Sequence, residues 1–246
     1  MYMALEKAVS SVLDNDFIMT MKTHISTSML KDSPTSLNCS VQFITHYNDR
    51  YSYIDSARIA LDGGCRWIQL RMKDADEALF EKTALVVQEM CKRYDATFII
   101  DDNVALAKII GANGVHLGKH DMPVAKAREV LGDRYIIGST INSFEDIVCN
   151  LQLATPDYFG CGPFRFTSTK KNLSPILGYE GYRHIMSEMK KRNICIPLVA
   201  IGGICKEDVP ELLRCGVDGI ALSGSILNAD NPTKEMEMIM SYFTKK

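Results

Sequence analysis

From residue 41 onward, short apolar, β-branched runs alternate with longer segments of helical character, and the alternation repeats eight times. The strand runs are VQFIT (41–45), RWIQLRM (66–72), TFIID (97–101), GVHLG (114–118), YIIGS (135–139), DYFGCG (157–162), PLVAIG (197–202) and GIALSG (219–224). Helical segments fill 52–63, 76–93, 103–111, 123–131, 143–153, 179–192, 206–215 and 232–244. Strands that read as near-continuous apolar runs fit a parallel sheet covered by helices. Eight units over ~205 residues give ~26 residues each, close to the smallest (β/α)8 barrel. An open doubly wound sheet uses the same alternation. No G-x-G-x-x-G turn follows VQFIT, however, and a count of eight favours closure. The fold expected is α/β, a single (β/α)8 TIM barrel. Punctuation supports the helices: Asp74 or Asp76 can cap the second, Pro123 suits the first turn of the fourth, and Gly111, Gly132 and Gly216 follow helical stretches.

Residues 1–40 have a different character. They are rich in Ser, Thr, Met, Asp and Asn, with a weak apolar pattern at Met3, Ala4, Leu5, Ala8, Val9, Val12 and Leu13. We expect a weakly structured or disordered N-terminal extension over 1–40 and the barrel domain over 41–246. The N-terminus lacks a compact apolar stretch followed by a small-residue cleavage site, so a secretory leader is not expected.

Composition closes off several classes of function. A net charge of −2 over 246 residues provides no global basic field for nucleic acid. No apolar run approaches the ~20 residues needed to span a bilayer. The eight cysteines are scattered without C-x-x-C spacing. They read as reduced packing residues, which places the chain in the cytoplasm. A homo-oligomer is left open.

The polar residues collect where a barrel of this kind does its chemistry, at the C-terminal ends of the strands. Gln69, Arg71 and Lys73 sit at i, i+2 and i+4, which on a strand places all three on one face. They predict either a site for an anionic group or an internal salt-bridge set with nearby aspartates. Asp101, Asp102 and Asp121 lie near the mouth. Carboxylates are ligands that Mg2+ prefers, and they are also helix caps, here for helices starting near Asn103 and Pro123. Thr167, Thr169 and Lys170 fall in the loop GPFRFTSTKKN, which reads as a phosphate-binding loop or a solvated one. AIGGI (200–204) and ALSGSI (221–226) follow strands 7 and 8, where backbone N–H groups of such barrels usually cradle phosphate. His116 reads as a core or hydrogen-bonding histidine. Two anion sites follow, one near strands 2–4 with a metal and one at strands 7–8, a layout for joining or splitting two phosphorylated small molecules.

The strings QLRMKD, IIDDNVALA, GANGVHLGKHDMPVAKAR, DYFGCGPFRFTSTK, PLVAIGGI and GVDGIALSGSIL, in this order over about residues 41–244, resemble the thiamine phosphate synthase family. The resemblance implies a transferase with small-molecule substrates. It joins 4-amino-2-methyl-5-hydroxymethylpyrimidine diphosphate to a thiazole ethyl phosphate, giving thiamine monophosphate and diphosphate by a Mg2+-assisted dissociative displacement. It further implies that Gln69 contacts the pyrimidine and that Arg71, Lys73 and Lys170 act on the diphosphate as catalytic residues. On the same footing, Asp102 and Asp121 hold Mg2+. Thr167, Ser168 and Thr169 bind the thiazole phosphate together with Gly203, Ser223 and Gly224. Asp101 and Thr140 are expected to bind substrate, although the family usually has Asn and Ser there. Other departures are Asn142 for a histidine, Lys119 for a glutamine and His46 for an aspartate. Two rivals are a thiazole tautomerase-like relative and a non-catalytic barrel that binds phosphorylated ligands. The intact set of Arg71, Lys73, Asp102, Asp121 and Lys170 argues against both.

Overall fold

The computed structural model describes residues 39–73, 75–166 and 175–243. Eight parallel strands close on themselves in sequential order: β1 (Val41–Ile44), β2 (Trp67–Leu70), β3 (Thr97–Asp101), β4 (Gly114–Leu117), β5 (Ile136–Ile141), β6 (Tyr158–Cys161), β7 (Leu198–Ile201) and β8 (Gly219–Leu222). The seam is β8 on β1, with Val41 opposite Ile220 and Phe43 opposite Leu222. Each strand run read from the sequence coincides with one of these strands, except that β5 continues two residues past its run to Ile141. Around them lie α1 (Tyr53–Asp62), α2 (Glu77–Arg93), α3 (Val104–Ile110), α4 (Val124–Leu131), α5 (Phe144–Leu153) and α6 (Gly178–Lys191). A 3-10 turn (Lys206–Asp208) leads into α7 (Val209–Arg214), and the short α8 (Gly224–Leu227) precedes α9 (Pro232–Met240).

Capping explains several helix starts. Ser52 and Ser143 form capping boxes with Asp55 and Asp146. Asp76 caps α2 by accepting from Leu79 N–H. The seventh helical segment of the sequence divides into the 3-10 turn and α7, and α8 is an element that the sequence reading did not anticipate.

Strand residues alternate between two cores. Phe43, Ile68, Leu70, Ile100, Val115, Ile137 and Phe159 pack outward under the helices. Cys39, Ile44, Trp67, Ile99, Ile136, Tyr158, Val199 and Ala221 fill the barrel interior. Trp67 and Tyr158 meet there edge to face, with ring centroids 4.8 Å apart. Space for these rings comes from missing side chains. A Cβ at Gly138 would collide with the Tyr158 ring and lie 2.5 Å from His116 Nδ1.

β2 ends at Leu70, so Arg71 and Lys73 are not on the strand face that the i, i+2, i+4 spacing predicts. Only Gln69 keeps the inward strand position. Arg71 and Lys73 reach the mouth from the loop that follows.

Residues 1–38, Asp74, Thr167–Ser174 and 244–246 lie outside the described residues. The expectations for most of the N-terminal extension and for Thr167, Ser168, Thr169 and Lys170 fall there. Cys39 and Ser40 stand with the barrel, since Ile220 N–H donates to Ser40 O at 2.9 Å.

Candidate active site

The mouth of the barrel is organised by charge pairs between adjacent strand ends. Gln69 is buried on β2, and its Nε2 donates to Asp101 Oδ1 at 2.5 Å. Gln69 Oε1 is buried and has no hydrogen-bond partner among the described residues. Such an atom leaves a desolvation cost that a donor from a bound molecule would offset. Arg71 Nε lies 3.4 Å from Asp101 Oδ2, and Lys73 Nζ lies 3.0 Å from Asp102 Oδ2. The cations and carboxylates therefore do form an internal salt-bridge set. Lys73 is half exposed and Arg71 partly so, which leaves both able to meet an anion from solvent.

Burial raises Asp101 above the usual carboxylate range, against the opposing pull of Arg71, Lys73 and Gln69. Burial alone would lower Lys73. The hydrogen bond and charge of Asp102 outweigh it and hold the ammonium above its ordinary value. Asp121 is raised first by burial and then by Asp102, whose carboxyl lies within hydrogen-bonding reach. A cation between two such carboxyls would favour both ionised forms.

None of the three aspartates is spent on a cap. Asn103 caps α3 through Leu106 N–H at 2.9 Å, and Pro123 precedes α4 with no side-chain cap. Asp121 Oδ2 instead accepts Gly118 N–H at 2.6 Å. Asp102 adopts φ +62, a left-handed conformation uncommon outside glycine. Its N–H donates to His116 O at 2.8 Å, which fixes the turn. Strain held in place by neighbouring strands is a frequent mark of a functional position.

A second polar chain crosses the interior. Gln42 Nε2 donates to the Tyr158 hydroxyl at 3.1 Å, which lies 2.9 Å from His116 Nδ1. His116 Nε2 lies 2.9 Å from Thr140 Oγ1. With the Tyr158 proton on the bond to Nδ1, Nε2–H donates to Thr140, whose own hydroxyl proton is then not used in that bond. The expectation of a core or hydrogen-bonding histidine at His116 is met by these two bonds, and the sequence reading did not single out Tyr158 or Gln42. The available signal was a histidine and a tyrosine within otherwise apolar barrel strands.

Two of the family departures come together. Lys119 Nζ lies 2.5 Å from Asp146 Oδ2, which also accepts Asn142 N–H at 2.7 Å. The Asn142 side chain donates to Gly162 O. His46 lies close enough to Arg71 that the guanidinium adds to burial in lowering its pKa.

The other side of the mouth is made of backbone. Gly202 and Gly203 have φ +101 and +69. Among the described residues, neither Gly203 N–H nor Ile204 N–H has a backbone acceptor. Ser223 and Gly224 open α8, with no side-chain cap on its first turn. These are donors available to an anion.

Among the described residues no helix is long and apolar enough to cross a membrane. The eight cysteines are free thiols, and five of them are buried.

Comparison with known proteins agrees with this geometry. The family model described as thiamine monophosphate synthase matches residues 41–226. A thiamine-phosphate synthase of Phocaeicola vulgatus is 59% identical over 201 residues, covering 82% of this chain and 96% of that protein. One from Bacteroides thetaiotaomicron is 55% identical over 202 residues, covering 82% and 96%. The solved thiamine phosphate pyrophosphorylase of Pyrococcus furiosus superposes with a TM-score of 0.74 at 32% identity, over 85% of this chain and 96% of that one.

Proposed function

The chain belongs to the thiamine monophosphate synthase family, and we propose that its two anion-binding sides divide the two substrates of that reaction between them. It is a transferase of thiamine biosynthesis. In our reading, 4-amino-2-methyl-5-hydroxymethylpyrimidine diphosphate lies over β2–β4. Its ring meets Gln69 and Asp101, and its diphosphate meets Arg71, Lys73 and, from the loop after β6, Lys170. The thiazole phosphate takes the opposite side, on Gly203, Ser223 and Gly224, with Thr167, Ser168 and Thr169 completing that pocket.

The observation that carries this reading is the orphaned Gln69 Oε1 beside the paired charges of Arg71, Lys73, Asp101 and Asp102. A buried acceptor without a donor suits the exocyclic amino group of the pyrimidine. Arg71 and Lys73, pre-positioned by carboxylates, suit a diphosphate. Asp102 and Asp121 fit Mg2+, since two converging hard oxygen donors plus substrate phosphate oxygens are its common arrangement. Among the described residues no three His, Cys, Asp or Glu side chains converge as a metal cluster, so substrate oxygens would supply the remaining ligands. When bound there, Mg2+ supplies counter-charge to the departing diphosphate.

The protein's own work is alignment and charge neutralisation. The C–O bond between the pyrimidine methylene and diphosphate breaks, and both electrons leave with the diphosphate. Arg71, Lys73 and Lys170 meet that developing charge. The thiazole nitrogen then donates its lone pair to the methylene carbon. Thr140, oriented by His116, stands on β5 with its hydroxyl available to the pyrimidine side. The free thiols suit a cytoplasmic setting.

The test is to incubate the purified chain with both substrates, with and without Mg2+, and follow thiamine monophosphate and diphosphate. Formation of both in equal amounts, dependent on Mg2+ and on both substrates, supports the reading. Absence of product with both substrates and Mg2+ present refutes it.

A further inference from the structure

The phosphate side of the mouth contains a feature outside the residues assigned above. Asp208 is nearly buried, and its carboxylate accepts four hydrogen bonds. Arg165 Nη1 and Nη2 approach Oδ2 and Oδ1 at 2.8 and 2.6 Å, a two-pronged fork. The Tyr179 hydroxyl donates to Oδ1 at 3.0 Å and Cys205 N–H to Oδ2 at 2.8 Å. That fills the roughly four acceptor positions of an ionised carboxylate. The Arg165 guanidinium also lies over the Phe164 ring at 4.7 Å.

The fixed arginine grips the glycine turn in three ways. Its backbone N–H donates to Gly202 O at 3.0 Å, and its Nη1 donates to Gly203 O at 3.0 Å. Its stem lies against Gly203, where an added Cβ would meet Arg165 Cγ at 2.5 Å. In a planar trans peptide the carbonyl and the following N–H point in opposite directions. Anchoring Gly202 O therefore fixes the direction of Gly203 N–H, and anchoring Gly203 O fixes Ile204 N–H. A glycine pair left alone would sample many conformations. Here one arginine selects the one in which both N–H groups have no backbone acceptor among the described residues.

We propose that Arg165 and Asp208 form a positioning pair whose fork pre-sets the Gly202–Gly203 turn, and through it the affinity for the phosphorylated thiazole. This rests on the assignment of that turn to the thiazole phosphate. Neither residue contacts the reacting atoms. Their effect is on the shape of a phosphate cradle, and a cradle set before binding loses less on ordering.

The experiment compares wild type with Arg165→Met, Arg165→Lys and Asp208→Asn. It measures KM for each substrate, kcat, melting temperature and calorimetric affinity for thiazole phosphate alone. Arg165→Met and Asp208→Asn are expected to raise the KM and Kd for thiazole phosphate by about tenfold or more, the scale of a lost charge-assisted contact. The KM for the pyrimidine diphosphate should stay within about twofold, since a perturbation confined to one site does not change the other. Arg165→Lys should restore only part of the affinity, because an ammonium cannot form the fork. Equal increases in both KM values overturn the proposal. So does a fall in melting temperature with both KM values unchanged, or full recovery by lysine. The calorimetric affinity is read without turnover. A wild type that makes no thiamine monophosphate therefore refutes the assigned reaction, and the variant-to-wild-type ratio of affinities still judges the clamp.

Discussion

Lys73 and Asp102 stand 3.0 Å apart at the ends of neighbouring strands, so a cation donated by one loop is held by a carboxylate that a second loop forces into a left-handed backbone. Asp102 in turn crowds Asp121, and that crowding raises Asp121 beyond what burial alone does. Removing the Asp121 charge should therefore relax the apo protein, and removing that of Asp102 trades this relief against the half-exposed Lys73 ion pair, while either change disables the reaction. Asp102→Asn and Asp121→Asn are expected to lower kcat/KM by at least about a hundredfold, the scale of a lost metal or transition-state charge contact. Thermal melting should be unchanged or higher in both. Near-normal turnover of both variants at saturating Mg2+ would remove these residues from the metal site.

Asp101 separates hydrogen bonding from charge. Burial raises its pKa despite two nearby cations, so the ionised form is costly at this position. An amide retains an acceptor for Gln69 Nε2 and carries no charge. Asp101→Asn should keep kcat within about threefold and cost under ~1 kcal/mol of stability or add to it. Asp101→Leu leaves Gln69 Nε2 without its acceptor and should lose activity by more than tenfold and about 1–3 kcal/mol of stability, the scale of one buried unpaired donor. Steady-state kinetics with melting curves on both variants decide it, and equal losses in the two would show that charge is what counts.

The barrel interior gives a prediction about stability. A Cβ at Gly138 has no room beside Tyr158 and His116. Gly138→Ala should destabilise by about 2 kcal/mol or more, as overpacking does. Tyr158→Phe keeps the ring against Trp67 and removes only the hydroxyl that joins Gln42 to His116. It should cost about 1–2 kcal/mol and lower kcat through a less well oriented Thr140. Urea titration checks both, and a neutral Gly138→Ala would mean that the inner layer is looser than its contacts imply.

Much of the fold was legible because its physics is local. Eight apolar runs at near-regular spacing marked β1–β8, and Asp76, Gly111 and Gly132 punctuated helices where they were expected to. Strand alternation gave Gln69 its inward direction, but it could not show that β2 stops at Leu70. The aspartates had two local readings, cap or ligand, and only the structure places Asn103 as the cap of α3. His116 was legible as a core or hydrogen-bonding histidine, but its partner Tyr158 was hidden because a polar contact inside a barrel links strands far apart in sequence. The same holds for Arg165 and Asp208, whose fork joins residues separated by 43 positions.

The N-terminal residues carry a prediction of their own. Residues 1–36 precede the family match, which begins at residue 41. The proposed chemistry lies entirely between Gln69 and Gly224. A chain starting at Leu37, which keeps Cys39 in the inner core, should fold and retain kcat and KM within about twofold. Activity, melting and size-exclusion comparison with the full chain test this. A large fall in melting temperature or a change of oligomeric state would assign the segment a structural role.

The central claim is that the two anionic substrates are held by separate machinery, side-chain charges on one side and glycine backbone on the other. Arg71→Ala removes a cation next to Asp101, and Gly203→Ala places a Cβ against Arg165 at a φ of +69. Calorimetric titration of each substrate onto each variant reads the division directly. Arg71→Ala should weaken the pyrimidine diphosphate by about tenfold or more and leave thiazole phosphate within about twofold, and Gly203→Ala should do the reverse. Equal weakening of both ligands in both variants, with the fold intact by melting, would contradict the account.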